Sequence, residues 1–232
     1  MIPTKSKNQR DGRVPVGARS SAIRDRIVQR SIFLFNRNGL RNVAIERIAA
    51  DMKISPGNLT YHFPRKQQLI AATLDIMQDR LRTALERPTA VRSAREGANY
   101  LIRLYRTLWD FRFFFNALTY VLTDRALRTE YNKLHKWVID SIHGDLIVLC
   151  EHGYFLLPAP PNNFTLVAEN TWSLLLHWVR MQHIRSPSAT TPSNAALFDC
   201  ALHTLSLCQP IMQPEYARDL FEVFKESLSS DI

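Results

Sequence analysis

Apolar residues recur every three or four positions along most of the chain, which is the spacing of one face of an α-helix. In the first third of the chain this pattern predicts four helices, over about 22–38, 44–51, 56–62 and 65–85. The apolar positions that define them are Ile23, Ile27, Ile32, Phe35, Ile45, Ile48, Ala49, Met52, Ile70, Leu74, Met77, Leu81 and Leu85. We expect Ser20 or Ser21 to cap the first helix, Gly39 to end it and Asn42 to cap the second.

The rest of the chain carries the same spacing. Helical faces are predicted in 101–108, 131–149, 164–184, 194–208 and 214–229, with an aromatic-rich stretch at 111–121. Two segments rich in Pro, Ser and Asn, 157–163 and 186–193, are predicted loops. No segment alternates apolar and polar residues with a period of two, so we predict an all-α protein.

Charge divides the chain into two unequal parts. The chain has 232 residues and a formal net charge of +9. Residues 1–87 contain 17 Lys and Arg against 7 Asp and Glu, a net charge of +10, whereas residues 88–232 contain 13 against 14. This asymmetry indicates a polyanion-binding module joined to a neutral one. Residues 1–19 combine basic residues with Pro and Gly, and we interpret them as a flexible basic arm.

Several kinds of site find no support in the residue pattern. The three cysteines form no C-x-x-C pair, which favours a reducing, cytoplasmic setting. No run of 18 apolar residues is present, so we expect no membrane span. The histidines lack the spacing of metal ligands, and no G-x-S-x-G nucleophile motif occurs. We therefore expect no metal, no cofactor and no enzymatic activity.

The two short helices at 44–62, with a three-residue turn between them, predict a helix-turn-helix unit. In such a unit the second helix enters the major groove of DNA while the first crosses the backbone. Ser55 and Pro56 would begin that second helix beside a phosphate, and Gly57 would permit close approach. The hydrogen-bonding residues expected on or beside the DNA-facing surface are Arg47, Asn58, Thr60, Tyr61, His62 and Lys66.

The run RDRIVQRSIFLFNRNGLRNVAIERIAADMKISPGNLTYHFPRKQQLI resembles the DNA-binding domain of the tetracycline-repressor (TetR) family. The resemblance covers about 20–85 and includes Gly39, Ile48-Ala49, the Ile54-Ser55-x-Gly57 turn and Leu59-x-x-His62-Phe63-Pro64-x-Lys66. It implies that Ser55 caps the recognition helix, that Gly57 and Asn58 face DNA, and that Lys66 contacts a phosphate. Thr60 and His62 depart from the family, which often has an aromatic residue and Tyr at these positions.

The resemblance also implies a domain organisation. A three-helix DNA-binding domain (20–66) precedes a larger helical regulatory and dimerisation domain (67–232), whose first segment (67–87) is a connecting helix. Members of the family are typically homodimeric repressors that bind palindromic operators in double-stranded DNA and release them when a small ligand fills the regulatory domain.

Candidates for a ligand cavity and a dimer interface lie in the regulatory domain. Eight aromatic and polar residues are the candidate cavity lining, although core packing explains them equally well: Trp109, Arg112, Phe113, Asn116, Tyr120, Trp137, Trp172 and His177. Segment 164–184 is apolar on more than one face, and Tyr216, Leu220, Phe224 and Leu228 form a stripe in 214–229. A two-fold homodimer through these two helices would bury both surfaces.

The sequence therefore predicts a dimeric, ligand-responsive transcriptional regulator, specifically a repressor released from a palindromic operator by a small hydrophobic ligand. One alternative keeps DNA binding but lacks a small-molecule sensor, or activates transcription. A second alternative comes from another class and is a helical lipid-binding or enzymatic protein with a basic arm.

Overall fold

The computed structural model describes residues 16–86 and 93–228, and these residues form helices joined by turns and loops. The α-helices are α1 (Val16–Asn38), α2 (Ile45–Asp51), α3 (Pro56–His62), α4 (Lys66–Leu85), α5 (Ala94–Asp110), α6 (Arg112–Asn116), α7 (Leu118–Val121), α8 (Arg125–Glu151), α9 (Phe164–Arg185), α10 (Asn194–Cys208) and α11 (Pro214–Leu228). Two short 3₁₀ helices lie at Leu40–Asn42 and Gln209–Ile211. The described residues contain no strand beyond one isolated bridge between Phe155 and Met212, so the all-α prediction is confirmed.

Helices α1–α3 form the head of the molecule, and the start of α1 differs from the prediction. The helix begins at Val16, so the two serines expected to cap it lie inside it, and the predicted arm is helical over its last four residues. Residues 1–15 of the arm lie outside the described part of the chain. Gly39 ends α1 as predicted, with a φ of +80° that a side chain would strain.

The start of α2 also corrects the sequence analysis. Ala44 occupies the N-cap position of α2 without a side-chain hydrogen bond. Asn42 instead turns back and donates its side-chain amide to the carbonyl oxygen of Asn38 at 3.0 Å. The first amides of α2 therefore lack the side-chain cap that was expected there.

Helix α4 leaves the head and packs along α1, α5 and α8. The body, α5–α11, is built around contacts of α8 with α9, of α10 with α9 and α11, and of α5 with α4 and α11. Its longer helices α5, α8, α9 and α10 are capped by the side chains of Ser93, Asp124, Asn163 and Ser193 respectively. None of the described helices is long and apolar enough to cross a membrane.

The apolar stripe of α11 has a different role from the predicted one. Tyr216, Leu220, Phe224 and Leu228 are buried within the protomer, and α11 packs against α5 and α10. These four side chains complete the core of the body and are not available for a second subunit. Large apolar side chains that remain exposed on neighbouring helices are Leu166 and Ile184 of α9 and Leu202 of α10.

Candidate nucleic-acid interface

The α2–turn–α3 unit is fixed by a buried apolar set. Ile48, Ala49 and Leu59 are fully buried, so both short helices are held against the rest of the head. The turn closes through the amide of Ile54, which donates to the carbonyl oxygen of Ala49 at 3.0 Å. Lys53 takes a φ of +55°, a left-handed conformation that non-glycine residues adopt mainly in tight turns. The orientation of α3 relative to α2 is therefore set by packing and backbone geometry together.

Ser55 begins α3 in the manner predicted. Its hydroxyl oxygen accepts a hydrogen bond from the amide of Asn58 at 3.1 Å, and Pro56 occupies the first helical position. The cap satisfies one of the first-turn amides, which have no partner within a helix. The remaining amides and the positive end of the helix dipole stay exposed for an anion.

The outer face of α3 projects into solvent. Gly57, Asn58 and Tyr61 are exposed, and the exposed fraction of Tyr61 is 79%. A Cβ atom added at Gly57 would meet no protein atom within 4 Å. Nothing in the described part of the chain therefore requires a glycine at this position, whereas close approach of an external backbone would.

Thr60 and His62 are more constrained than their neighbours. The Thr60 hydroxyl donates back to the carbonyl oxygens of Pro56 and Gly57, at 3.1 Å and 3.2 Å. His62 is half-buried, and its ring lies edge-on to Tyr61 with a centroid separation of 5.1 Å. Asn58 and Tyr61 are exposed on this face, and their side chains make no hydrogen bond to the described residues.

Lys66 and Arg47, both predicted to approach DNA, have partners inside the head. The Lys66 ammonium donates to the carbonyl oxygens of Leu40 at 2.6 Å and Arg41 at 3.4 Å, and burial lowers the pKa of Lys66. Arg47 donates to the side-chain oxygen of Asn38 at 3.0 Å. In this arrangement both cations fasten the end of α1 and the following 3₁₀ helix to neighbouring elements. Their contact with phosphate stays a prediction.

Two cationic features of the head were missed by the sequence analysis. Arg30 of α1 donates two hydrogen bonds, from Nε and Nη2, to the two carboxylate oxygens of Asp51 at the end of α2. This hydrogen bonding lowers the pKa of Asp51. Lys53, Arg41 and Arg65 are exposed around the turn and the N-terminus of α4. Their basic character was visible in the sequence, but their direction depends on the turn and could not be read from spacing.

The junction between head and body is organised by a buried asparagine. Asn36 of α1 donates its side-chain amide to the carbonyl oxygen of Asp110 at 2.7 Å and accepts from the amide of Phe113 at 3.1 Å. Asp110 ends α5, and Phe113 is the second residue of α6. One head side chain therefore joins the head to two elements of the body.

The body contains an apolar cavity of about 100 Å³ between α5, α8, α10 and α11. Its lining comprises Gly97, Tyr100, Leu101, Leu104, Ile142, Asp145, Leu146, Val148, Leu149, Phe155, Thr171, Thr204, Cys208, Met212, Tyr216 and Leu220. None of the eight residues that the sequence suggested as a ligand lining contributes to it. Several polar groups of the lining are engaged within the protein: Thr171 and Thr204 donate to backbone carbonyl oxygens four residues earlier, and Tyr100 of α5 donates to Asp145 of α8.

The eight suggested residues are dispersed through the body instead. Trp109, Phe113 and Trp172 are buried core residues, Asn116, Tyr120 and Trp137 are half-buried, and His177 is exposed. Arg112 is buried against the Trp109 ring at 4.6 Å and donates to the carbonyl oxygens of Trp109 and Ala189. Large aromatic side chains in a helical bundle occupy core positions as readily as cavity walls.

Two family models that describe the same kind of bacterial regulator together match most of the chain. Residues 27–73 match the family described as bacterial regulatory proteins, tetR family, and residues 76–220 match the family TetR, described as bacterial transcriptional repressor. No curated protein sequence matches the chain.

Among solved structures, a TetR-family transcriptional regulator from Marinobacter aquaeolei VT8 is 26% identical, with a TM-score of 0.76, over 88% of this chain and 97% of that one. A gamma-butyrolactone receptor is 14% identical, with a TM-score of 0.62, over 91% and 98%. AibR, in complex with isovaleryl coenzyme A and operator DNA, is 18% identical, with a TM-score of 0.53, over 68% and 85%.

Proposed function

The chain belongs to the TetR family of bacterial transcriptional regulators, and we propose that it is a homodimeric repressor that a small hydrophobic ligand releases from a palindromic operator. The observation that carries DNA binding is the exposed face of α3. There, a serine-capped helix N-terminus, an open Gly57 and the projecting Asn58 and Tyr61 occur together on one turn. Amides at a helix N-terminus bind phosphate, and side chains on that turn read base edges.

The hydrogen bonds within the head support different roles in DNA binding for the residues of this surface. Asn58 can present its amide to an adenine edge, because no other side chain holds it in the described residues. Tyr61 can reach the phosphate backbone with its hydroxyl. Lys66 and Arg47 act beside them by holding the 3₁₀ helix and α1 in place, and by adding positive charge near the backbone.

Ligand response is supported by a continuous path from the cavity to the head. Gly97, Tyr100, Leu101 and Leu104 of α5 line the cavity, and the same helix ends at Asp110, which Asn36 holds. The fourteen helical residues from Gly97 to Asp110 span about 20 Å. A ligand that favours a different position of α5 would therefore shift α1 and with it the recognition helix.

A related protein lends support to both parts of the proposal. AibR has been solved with isovaleryl coenzyme A and operator DNA, so this fold accommodates a small-molecule ligand and an operator. In a dimer of this kind the two α3 helices would stand about 34 Å apart, or slightly more, to enter successive major grooves. Exposed Leu166 and Ile184 on α9 support the dimerisation part, with α9 as the main contact helix.

Selection of bound DNA from a random pool tests this function directly. We expect an enriched palindrome, and a preference for it over random DNA of about 10³-fold or more at physiological salt. Binding that depends on salt alone, with no enriched sequence, would contradict a regulator and favour a helical protein with a basic surface.

A reporter gene placed behind the selected palindrome then separates repression from activation. Expression should rise when the regulator is deleted if the protein represses, and fall if it activates. The same reporter, titrated with small hydrophobic compounds, shows whether the regulator senses a ligand or acts without one. Ligand and operator must weaken each other's binding by the same factor in any sensor of this kind.

A further inference from the structure

The cavity in the body contains one polar group that is unusual for its surroundings. Tyr216 lines the cavity and its residue is only 7% exposed, and its hydroxyl, which keeps a little accessible surface, makes no hydrogen bond to any residue that the structure describes. A tyrosine hydroxyl in such mostly apolar surroundings normally finds a hydrogen-bond partner. This hydroxyl is therefore the place where a bound molecule would gain most from a polar atom.

The position of this hydroxyl depends on a glycine. A Cβ atom added at Gly97 of α5 would lie 2.7 Å from the Tyr216 hydroxyl oxygen, closer than real Cβ atoms come to other atoms. A face of the Tyr216 ring is supported by Tyr154, stacked with a centroid separation of 4.6 Å. Ring stacking and the missing side chain at Gly97 thus hold the hydroxyl against α5 at the cavity wall.

The other walls set the size and charge of an occupant. A cavity of about 100 Å³ is somewhat smaller than the ~150 Å³ apolar cavity that accommodates benzene, so it suits a molecule of about six non-hydrogen atoms. The lining contributed by the described residues contains no Lys, Arg or His, and its acid, Asp145, accepts a hydrogen bond from Tyr100. An anionic ligand would leave water without gaining a cationic side chain from the lining.

Resting on the proposed ligand response, we propose that this cavity binds a small uncharged molecule with a compact apolar body and one hydrogen-bond-accepting oxygen. The Tyr216 hydroxyl donates to that oxygen, as to a ketone, ester or alcohol. Burial raises the pKa of Tyr216 to about 12, so the phenol is protonated and able to donate at neutral pH and well above it. The apolar body is held by Leu104, Ile142 and Leu220.

Three ring compounds of similar size test the proposal by ligand-observed NMR titration of the full-length protein. Cyclopentanone carries the accepting oxygen, methylcyclopentane lacks it, and cyclopentanecarboxylate carries a charge. We expect cyclopentanone to bind about 2–10-fold more tightly than methylcyclopentane, which corresponds to one net hydrogen bond, and the carboxylate to bind weakest. Equal binding of all three, or tightest binding of the carboxylate, would overturn the proposed ligand class.

Two variants locate the hydrogen bond. Tyr216→Phe keeps the stacked ring and should lower cyclopentanone affinity about 2–10-fold while leaving methylcyclopentane unchanged. Gly97→Ala should displace the hydroxyl and reduce cyclopentanone binding in the same direction. Tyr154→Phe is the matched control, because it removes a neighbouring hydroxyl that does not line the cavity. An unchanged preference in Tyr216→Phe would remove this residue from the proposal.

Operator binding of the ligand-free protein is measured in parallel on the selected palindrome. Its absence would overturn the proposed function whatever the cavity binds. Normal operator binding combined with no preference for cyclopentanone would overturn the cavity proposal alone.

Discussion

Asn36 in the head accepts a hydrogen bond from the backbone amide of Phe113 in the body, at 3.1 Å, across 77 residues of sequence. Phe113 is the second residue of α6, so its amide belongs to the first helical turn and has no partner within that helix. The same asparagine side chain donates to the carbonyl oxygen of Asp110. A single buried amide thus satisfies two backbone groups where α5 turns into α6, and fixes α1 against that turn.

Replacing Asn36 with Ala should lower the free energy of unfolding by about 1–3 kcal/mol, because two buried backbone groups lose their partner. Operator affinity should also respond less to ligand, since α1 would no longer follow α5. Urea unfolding measures the first effect and operator titration with and without ligand the second. Asn42→Ala removes an exposed hydrogen bond from the 3₁₀ helix to the last residue of α1 and serves as the control. Full ligand response in Asn36→Ala would show that coupling runs through α4 instead.

Helix boundaries are predicted best where residues adjacent in the chain determine them. The predicted segments 56–62, 194–208 and 65–85 match α3, α10 and α4 to within a residue, because Ser-Pro, Ser and Pro signals mark their ends. The Ser55 cap follows from the same chemistry. Such features require only residues that are close together in the chain.

Features that depend on contacts between residues far apart in the chain could not be predicted from the sequence. The sequence could not show that Asn36 meets Phe113, or that the α11 stripe faces α5. The cavity lining escaped prediction for a similar reason. Its lining consists mainly of ordinary leucines and other apolar residues with a few polar ones and one glycine, and their common location is created by the tertiary arrangement of the helices.

Gly57→Ala should reduce operator affinity about tenfold or more while leaving the fold intact, because the added methyl group meets no protein atom but would face the DNA backbone. Stability should stay the same or rise by up to about 1 kcal/mol, since alanine favours helix. Gly144→Ala is the matched control, because its Cβ also meets no atom within 4 Å, in α8 of the body. Equal operator affinity in both variants would place α3 away from the DNA.

Asn58 and Lys66 should have distinguishable effects on DNA binding. Asn58→Ala should reduce the preference for the correct base at one base pair by about 1–3 kcal/mol. Lys66→Met should weaken binding to all DNA sequences alike and reduce the slope of log affinity against log salt concentration by about one. Lys66→Met should also destabilise the head by about 1–2 kcal/mol, because the carbonyl oxygen of Leu40 loses its donor. Competition gel shifts at several salt concentrations check the first pair of effects. A sequence-dependent loss in Lys66→Met would reverse these assignments.

Alkaline pH should destabilise the protein partly through Tyr216. Burial raises the pKa of this phenol from 10.0 to about 12, so between these values the folded state holds a proton that the unfolded state has lost. The stabilisation is complete below pH 10 and disappears as pH rises through about 12. Between pH 9 and pH 11 the contribution is about 1.4 kcal/mol. Urea unfolding of Tyr216→Phe should show a correspondingly shallower decline, with Tyr61→Phe as control. An identical decline in wild type and Tyr216→Phe would contradict the raised pKa.

Dimerisation through α9 should be sensitive to charge at its exposed apolar residues. Ile184 is 62% exposed and Leu202 on the adjacent α10 is 40% exposed, so glutamate at either position costs little within the protomer but would bury a charge in an interface. Ile184→Glu with Leu202→Glu should give monomers by light scattering and reduce operator affinity about 100-fold, because one head reads only a half-site. Leu157→Glu, in the loop before α9, is the control at 76% exposure. A dimer that survives the double change would place the interface on another surface.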